Sequence, residues 1–330
     1  MQDAGNIANE IAISAQGLTK SFGETKAVAG VDLEVPRGTV TALLGPNGAG
    51  KTTAVRMLTT LLSIDGGSAS VGGVDVADDP NGVRRKIGLT GQDTAVDELL
   101  TGRENLVMIG RLARLTKSDA QQRAENLLSQ FDLVDAADRN AGTYSGGMRR
   151  RLDLAAGMIA DPEILFLDEP TTGLDPRSRI GMWEQIQKLV DRGTTVLLTT
   201  QYLDEADQLA DEIVVIDHGT VIARGTSDEL KDEVGGQRLE FKVSGDGALA
   251  RARQLLEGKA VEVVDSEDRE GRITVALTDG PTQVARLIDL LDTGGVTLDE
   301  VLVHRPTLDD VFLTLTGEHV VDEQDEAGDA

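Results

Sequence analysis

Cysteine is absent from the 330 residues, so neither disulfides nor thiolate chemistry contributes, and a reducing compartment suits the chain. Aromatic residues make up only 2%, which leaves aliphatic side chains to fill the core. Bases are in the minority: 32 Lys and Arg stand against 57 Asp and Glu, a formal net charge of −25. That balance repels a phosphate backbone and argues against nucleic acid as a partner. No apolar stretch approaches the roughly 20 residues that cross a bilayer. Met1 to Glu10 form a polar N-terminal extension without the basic-then-apolar pattern of a secretory signal. Membrane contact is therefore expected only through a partner.

What remains is an ordinary globular balance, 40% hydrophobic and 27% charged, in a chain long enough for one large and one small domain. Short apolar runs at Thr39 to Leu44, Ile164 to Leu167, Thr194 to Leu198 and Glu212 to Ile216 alternate with helical patterns. They predict an α/β domain over residues 11–234 with a mostly parallel, buried sheet. Within it, residues from about 93 to 160 change to helical periodicity, with Leu106, Ile109, Leu112, Leu127, Leu128 and Phe131 on apolar faces, and read as an inserted helical subdomain. Gly235-Gly236 marks a boundary, after which residues 235–317 run strand, helix, strand, strand, helix, strand. That β-α-β-β-α-β order predicts a small α+β domain of ferredoxin-like type. Residues 318–330 carry Glu318, Asp322, Glu323, Asp325, Glu326 and Asp329 with no Lys or Arg, and are expected to be a disordered acidic tail.

Gly45-Pro46-Asn47-Gly48-Ala49-Gly50-Lys51-Thr52-Thr53 fits the G-x-x-x-x-G-K-[ST] pattern, after an apolar strand and before a helix carrying Val55, Met57 and Leu58. Glycines let such a loop curl its N–H groups around phosphate oxygens, and the helix start adds partial positive charge. Lys51 can neutralise the outer phosphates, and Thr52 can offer its hydroxyl to Mg²⁺. The apolar run ending at Leu167 delivers Asp168 and Glu169 to the carboxyl edge of a buried strand, where α/β sheets bind ligands. There Asp168 is expected to serve the metal and Glu169 to act as general base. A second glycine-rich helix start, Ser145-Gly146-Gly147, precedes Arg149, Arg150 and Arg151. The arginines either reinforce a second anion site or form a solvated helix face. Two phosphate-binding helix starts for one terminal phosphate point to nucleotides shared between two copies in a symmetric dimer.

With these motifs in this order, residues from Ile11 to about Gly225 resemble the nucleotide-binding subunits of ABC transporters. The resemblance implies ATP as substrate. It implies Phe22 as the aromatic group on adenine, Gly45 to Thr53 as the Walker A loop, and Gln92 as the Q-loop residue near Mg²⁺, the attacking water and the membrane partner. Ser145 to Met148 match the signature motif, with Tyr144 and Met148 where leucine and glutamine are usual. Asp168 and Glu169 match Walker B and the catalytic glutamate, and Asp175 matches the D-loop at the dimer seam.

Gln201 stands where most members place a switch histidine. Glutamine can hydrogen-bond a phosphate or water but cannot carry a cation, so slow hydrolysis is expected. Residues 142–151 (GTYSGGMRRR) and 199–207 (TTQYLDEAD) are most similar to daunorubicin/doxorubicin resistance ATP-binding subunits, which share that glutamine. Leu308 to Leu313 (LDDVFL) resembles a C-terminal motif of that subfamily linked to assembly, although its spacing also suits plain core packing. His218, His304 and His319 have no ligand spacing. The resemblance implies a homodimer at the cytoplasmic face of a bacterial membrane, beneath a separate permease, powering efflux of a hydrophobic drug or lipid-like molecule. The alternative is a soluble ABC ATPase acting on ribosomes or DNA.

Overall fold

The computed structural model describes residues 10–91, 95–233, 237–245, 247–257, 263–267, 271–277 and 281–316. Gln92, the Gly235-Gly236 pair, His319 and the acidic tail lie outside them. The chain divides into two compact units, the first ending at Ser227 and the second beginning at Asp228.

The first unit holds two sheets. Strands β1 (Ile11–Phe22) and β2 (Thr25–Pro36) form a long antiparallel ribbon, extended by β4 (Gly66–Val71) and β5 (Val74–Asp75) in the order β2-β1-β4-β5. The second sheet has the order β10-β9-β3-β8-β7-β6, built from β3 (Val40–Leu44), β6 (Ile87–Thr90), β7 (Ile164–Asp168), β8 (Thr195–Thr200), β9 (Glu212–Asp217) and β10 (Thr220–Gly225). It is parallel from β6 through β9, with β10 antiparallel at its edge. Every residue of β3, β7 and β8 is buried, as befits central strands covered on both faces. One apolar cluster takes Ile13, Leu18 and Leu33 from the ribbon, Leu43, Phe166, Leu197 and Val214 from the parallel sheet, and Met57 and Leu58 from α1 (Lys51–Leu58). The helix start that follows the glycine loop is thereby clamped by the core.

A short helix, α2 (Pro80–Arg84), precedes β6, and the predicted helical insertion is present as α3 (Gly102–Leu112), α4 (Lys117–Gln130) and α5 (Gly146–Gly157). Thr101 and Glu104 close a capping box on α3, and Thr116 caps α4. Leu106, Leu127, Leu128 and Phe131 are buried as expected, whereas Leu112, in the last turn of α3, is 76% exposed. Helices α6 (Pro176–Val190), α7 (Leu203–Leu209) and α8 (Ser227–Glu233) follow β7, β8 and β10.

The second unit takes in all of α8 but its first residue and then runs β11 (Gln237–Ser244), α9 (Ala248–Glu257), β12 (Val263–Glu267), β13 (Arg272–Leu277), α10 (Pro281–Thr293), β14 (Thr297–His304) and α11 (Leu308–Thr316). Its antiparallel sheet has the order β12-β13-β11-β14. β13 lies between β11 and β12, which is the split β-α-β arrangement of ferredoxin-like domains. Leu239, Phe241, Leu256, Ile273, Val275 and Leu291 fill its core. On α11, Leu308, Val311 and Phe312 are buried while Leu315 is 40% exposed, and Asp310 pairs with Arg238 of β11 at 3.6 Å.

Candidate functional site

The register of the parallel sheet assembles the site. Leu44 pairs with Thr200 and Asp168 with Thr199. The glycine loop after β3, the acidic pair ending β7 and Gln201 after β8 therefore share one carboxyl edge, the ligand-binding edge of such sheets.

In the loop, Gly50 sits at φ +104 as the residue before α1, and a Cβ there would lie 2.3 Å from the Ala27 carbonyl oxygen. A Cβ on Gly45 would lie 2.1 Å from the Ile216 carbonyl oxygen. Only glycine permits these approaches, so the tight curl is written into the sequence. Lys51 is buried, and its Nζ donates to the Gly45 oxygen at 2.6 Å and the Pro46 oxygen at 3.0 Å, 3.9 Å from Glu169 Oε1. Burial pushes the ammonium below its usual pKa, while Glu169 and then Asp168 hold it up. A cleft of about 180 Å³ opens here, lined by Ala27, Asn47, Gly48, Ala49, Gly50, Lys51, Thr52, Thr53 and Glu169.

Asp168 Oδ1 accepts the Thr52 hydroxyl at 3.0 Å and the Thr199 hydroxyl at 2.5 Å. Its neighbour Glu169 holds φ +50, a left-handed backbone uncommon outside glycine. Its N–H donates to the Thr199 carbonyl and hydroxyl oxygens, both at 3.1 Å, and its Oε2 accepts the Thr172 hydroxyl at 3.3 Å. Gln201 is 5% exposed at the end of β8. Phe22 ends β1, half exposed, with Lys20 Nζ 5.9 Å from its ring centroid.

Ser145 caps α5, its Oγ accepting the Met148 N–H at 3.3 Å. It lines a different cleft, of about 310 Å³, with Gly147, Met148, Arg151, Arg177, Ser178 and Gly181. The two clefts share no lining residue. Gly146 is exposed beside Ser145. Asp175 caps α6 through the Ser178 N–H at 3.0 Å and hydroxyl at 2.7 Å, bonds that hold its carboxyl below the usual range. Tyr144, in place of the usual leucine, is buried and donates its hydroxyl to the Ala136 carbonyl at 2.7 Å. Among the described residues no group of three His, Cys, Asp or Glu could hold a metal ion; His218 is exposed and His304 half-buried.

Sequence reasoning gave no role to Thr199, Asp153 or Glu205, and it grouped Arg150 with Arg149 and Arg151 as an anion site or a solvated face. Arg150, Asp153 and Glu205 are buried, at 8%, 3% and 0% exposed. Glu205 Oε1 accepts the Thr171 hydroxyl at 2.8 Å and Trp183 Nε1 at 3.1 Å, tying the segment after Glu169 to α6 and α7, and burial raises its pKa. The i, i+3 spacing of opposite charges at Arg150 and Asp153 was the available signal.

A strand–glycine loop–helix unit with a buried lysine, a hydroxyl and two strand-end carboxylates defines a P-loop nucleoside triphosphatase. Residues 28–172 match the family model described as ABC transporter, and residues 225–316 match that of the ATP-binding protein DrrA1-3-like, C-terminal domain. The chain is 54% identical to the daunorubicin resistance ATP-binding protein DrrA2 of Streptomyces coeruleorubidus, covering 93% of this chain and 95% of that one. It is 51% identical to the daunorubicin/doxorubicin resistance ATP-binding protein DrrA of Streptomyces peucetius, covering 95% and 94%. A solved ATP-binding subunit of an ABC transporter aligns with TM-score 0.61 at 27% identity, covering 68% of this chain and 93% of that one. The ADP form of an ATP-binding cassette aligns with TM-score 0.60 at 27% identity, covering 66% and 92%. The chain belongs to the daunorubicin/doxorubicin resistance family of ABC-type ATP-binding subunits, ATPases of the cassette fold.

Proposed function

We propose that this chain hydrolyses ATP as a homodimer beneath a separate membrane permease at the cytoplasmic face, powering export of a hydrophobic drug or lipid-like molecule. The observation that carries the chemistry is the buried Lys51 Nζ held over the loop 3.9 Å from Glu169 Oε1. It sets a phosphate-neutralising cation beside a carboxylate able to take a proton from water. Lys51 binds the outer phosphates with the loop N–H groups, and Phe22 offers its exposed ring to the base. The Thr52 hydroxyl and Asp168 carboxylate, already 3.0 Å apart, form an all-oxygen pair that fits Mg²⁺, which Gln92 would join. Bound there, the ion would neutralise charge on the β- and γ-phosphates. Gln201 orients water by hydrogen bonding and Glu169 takes its proton.

Ser145, Gly146 and Gly147 belong to the partner copy's nucleotide in this scheme, with Asp175 at the seam. That Ser145 and Gly147 line a cleft other than that of the glycine loop supports it. Export is supported by similarity that spans both units of relatives named for daunorubicin resistance. Among the described residues no helix is long and apolar enough to cross a membrane, in keeping with a separate permease. Residues 11–234 are taken as the ATPase domain and 235–317 as the accessory domain.

Coexpression with a membrane protein encoded beside it tests the export reading. The chain is expected to pellet with membranes only when that partner is present, and its turnover to respond to hydrophobic drugs. A chain that stays in the supernatant and responds to ribosomes or DNA would transfer the function to a soluble ATPase. Separately, Gln201→His is expected to raise phosphate release severalfold, because an imidazolium can oppose developing charge where an amide cannot. An unchanged rate would remove Gln201 as the brake.

A further inference from the structure

Arg150, three residues past Gly147, is not part of a solvated arginine face. It is buried, and every one of its five N–H groups has an acceptor. Nε donates to the Pro170 carbonyl at 2.7 Å. Nη2 donates to the Asp168 and Glu169 carbonyls at 3.2 and 2.9 Å. Nη1 donates to the Gly91 carbonyl at 2.8 Å and to Asp153 Oδ2 at 3.4 Å. Asp153 Oδ1 in turn accepts the Ala95 N–H at 2.9 Å. Burial lowers the pKa of Arg150 and raises that of Asp153, and each is the leading charge opposing that shift in the other.

Two consequences follow from this geometry. Glu169 keeps its left-handed backbone at φ +50, a conformation that persists only where surroundings over-determine it. Its N–H is fixed by Thr199 and its carbonyl by Arg150. The same guanidinium and its aspartate also hold Gly91 and Ala95, which flank Gln92 in the chain. Five rigid donors in a plane can grip three successive carbonyls and a fourth from another strand end, which a lysine's single ammonium cannot.

We infer that Arg150 and Asp153 are positioning residues that hold the Glu169 backbone for catalysis and couple it to the segment ends at Gly91 and Ala95. The inference rests on the ATPase reading above and adds a route by which displacement at Gly91 and Ala95 withdraws the general base. Neither side chain lines the glycine-loop cleft, so the linkage acts on the rate of chemistry and leaves nucleotide binding alone.

Single-turnover phosphate release by the full chain, with no membrane protein present, tests it. Arg150→Lys is expected to lower the maximal rate by at least about tenfold, a loss on the scale of small misplacement, with half-saturating ATP within about twofold of wild type. Arg150→Gln, able to reach one carbonyl, should recover no more than part of it. Asp153→Asn keeps the volume and an acceptor for Ala95 while replacing the charged oxygen that faces Arg150 with an amide NH2, so it is the variant to use if the lysine one does not fold. It should slow the rate at least about threefold, and the double variant should be no slower than Arg150→Lys alone, because both act through one linkage. A wild-type rate in folded Asp153→Asn, additive losses, or a change confined to half-saturation would overturn the linkage. With no partner in the assay, failure of the export reading would leave these results standing.

Discussion

Replacing Glu169 with glutamine is expected to slow ATP hydrolysis by about 10²–10⁴-fold, the usual worth of a positioned general base, while ATP still binds at least as well as to the wild type. Glutamine preserves the length of the side chain and an oxygen for the Thr172 hydroxyl, which Glu169 Oε2 accepts at 3.3 Å. Thr199 and Arg150 grip the backbone and are indifferent to the substitution. What is lost is proton affinity and one negative charge, 3.9 Å from Lys51, in a cleft meant to receive an anion. Removing that charge favours the triphosphate, so equilibrium binding should tighten or stay level as phosphate release collapses. The variant should also accumulate as an ATP-dependent dimer on gel filtration, since the nucleotide that joins two copies is no longer consumed. Turnover within tenfold of wild type would show that another group takes the proton.

The placing of Glu169 marks how far the sequence could be read. The loop pattern, the apolar runs and the acidic pair located the nucleotide edge because glycine, lysine and strand-end carboxylate leave local signatures. The helical insertion and the order of the second unit were legible through periodicity alone. The ribbon of β1 and β2 was not. Its register shifts four times between Ile11 and Phe22, so inside and outside residues do not alternate cleanly, and the buried pattern blurs. Thr199 is a β-branched residue near the end of β8, and nothing local marks it out, yet its hydroxyl joins Asp168 and its oxygens hold the Glu169 N–H. That role depends on which residue of β7 lies opposite, and register is a tertiary fact. Glu205 stands in the first turn of α7, where the macrodipole favours an acidic residue. Its burial against Thr171 and Trp183 depends on how α7 meets α6. Arg150 read as one of three equivalent arginines, although one helical turn separates it from Asp153 and gives that face a buried ion pair.

Replacing Lys51 with methionine, by contrast, is expected to weaken binding first and chemistry only as a result. In the structure the ammonium satisfies the carbonyls of Gly45 and Pro46 at 2.6 and 3.0 Å and faces Glu169. Methionine has a similar length and tolerates burial, so the core around α1 keeps its packing. The cation was costly to bury, as its lowered pKa records, so global stability should change less than loss of a buried charge would suggest. Phosphate, however, would meet two carbonyl dipoles and the Glu169 and Asp168 carboxylates without the positive charge that offsets them. Charged hydrogen bonds are worth about 1.5–3 kcal/mol, so ATP affinity should fall about a hundredfold. Titration with a fluorescent ATP analogue, beside a thermal melt, separates the two effects. Weak binding with a near-normal melting temperature supports Lys51 as the phosphate cation. Normal affinity would mean that the loop N–H groups bind the triphosphate unaided. Set against the glutamine variant, which binds and does not turn over, the methionine variant divides the site into a part that holds phosphate and a part that moves a proton.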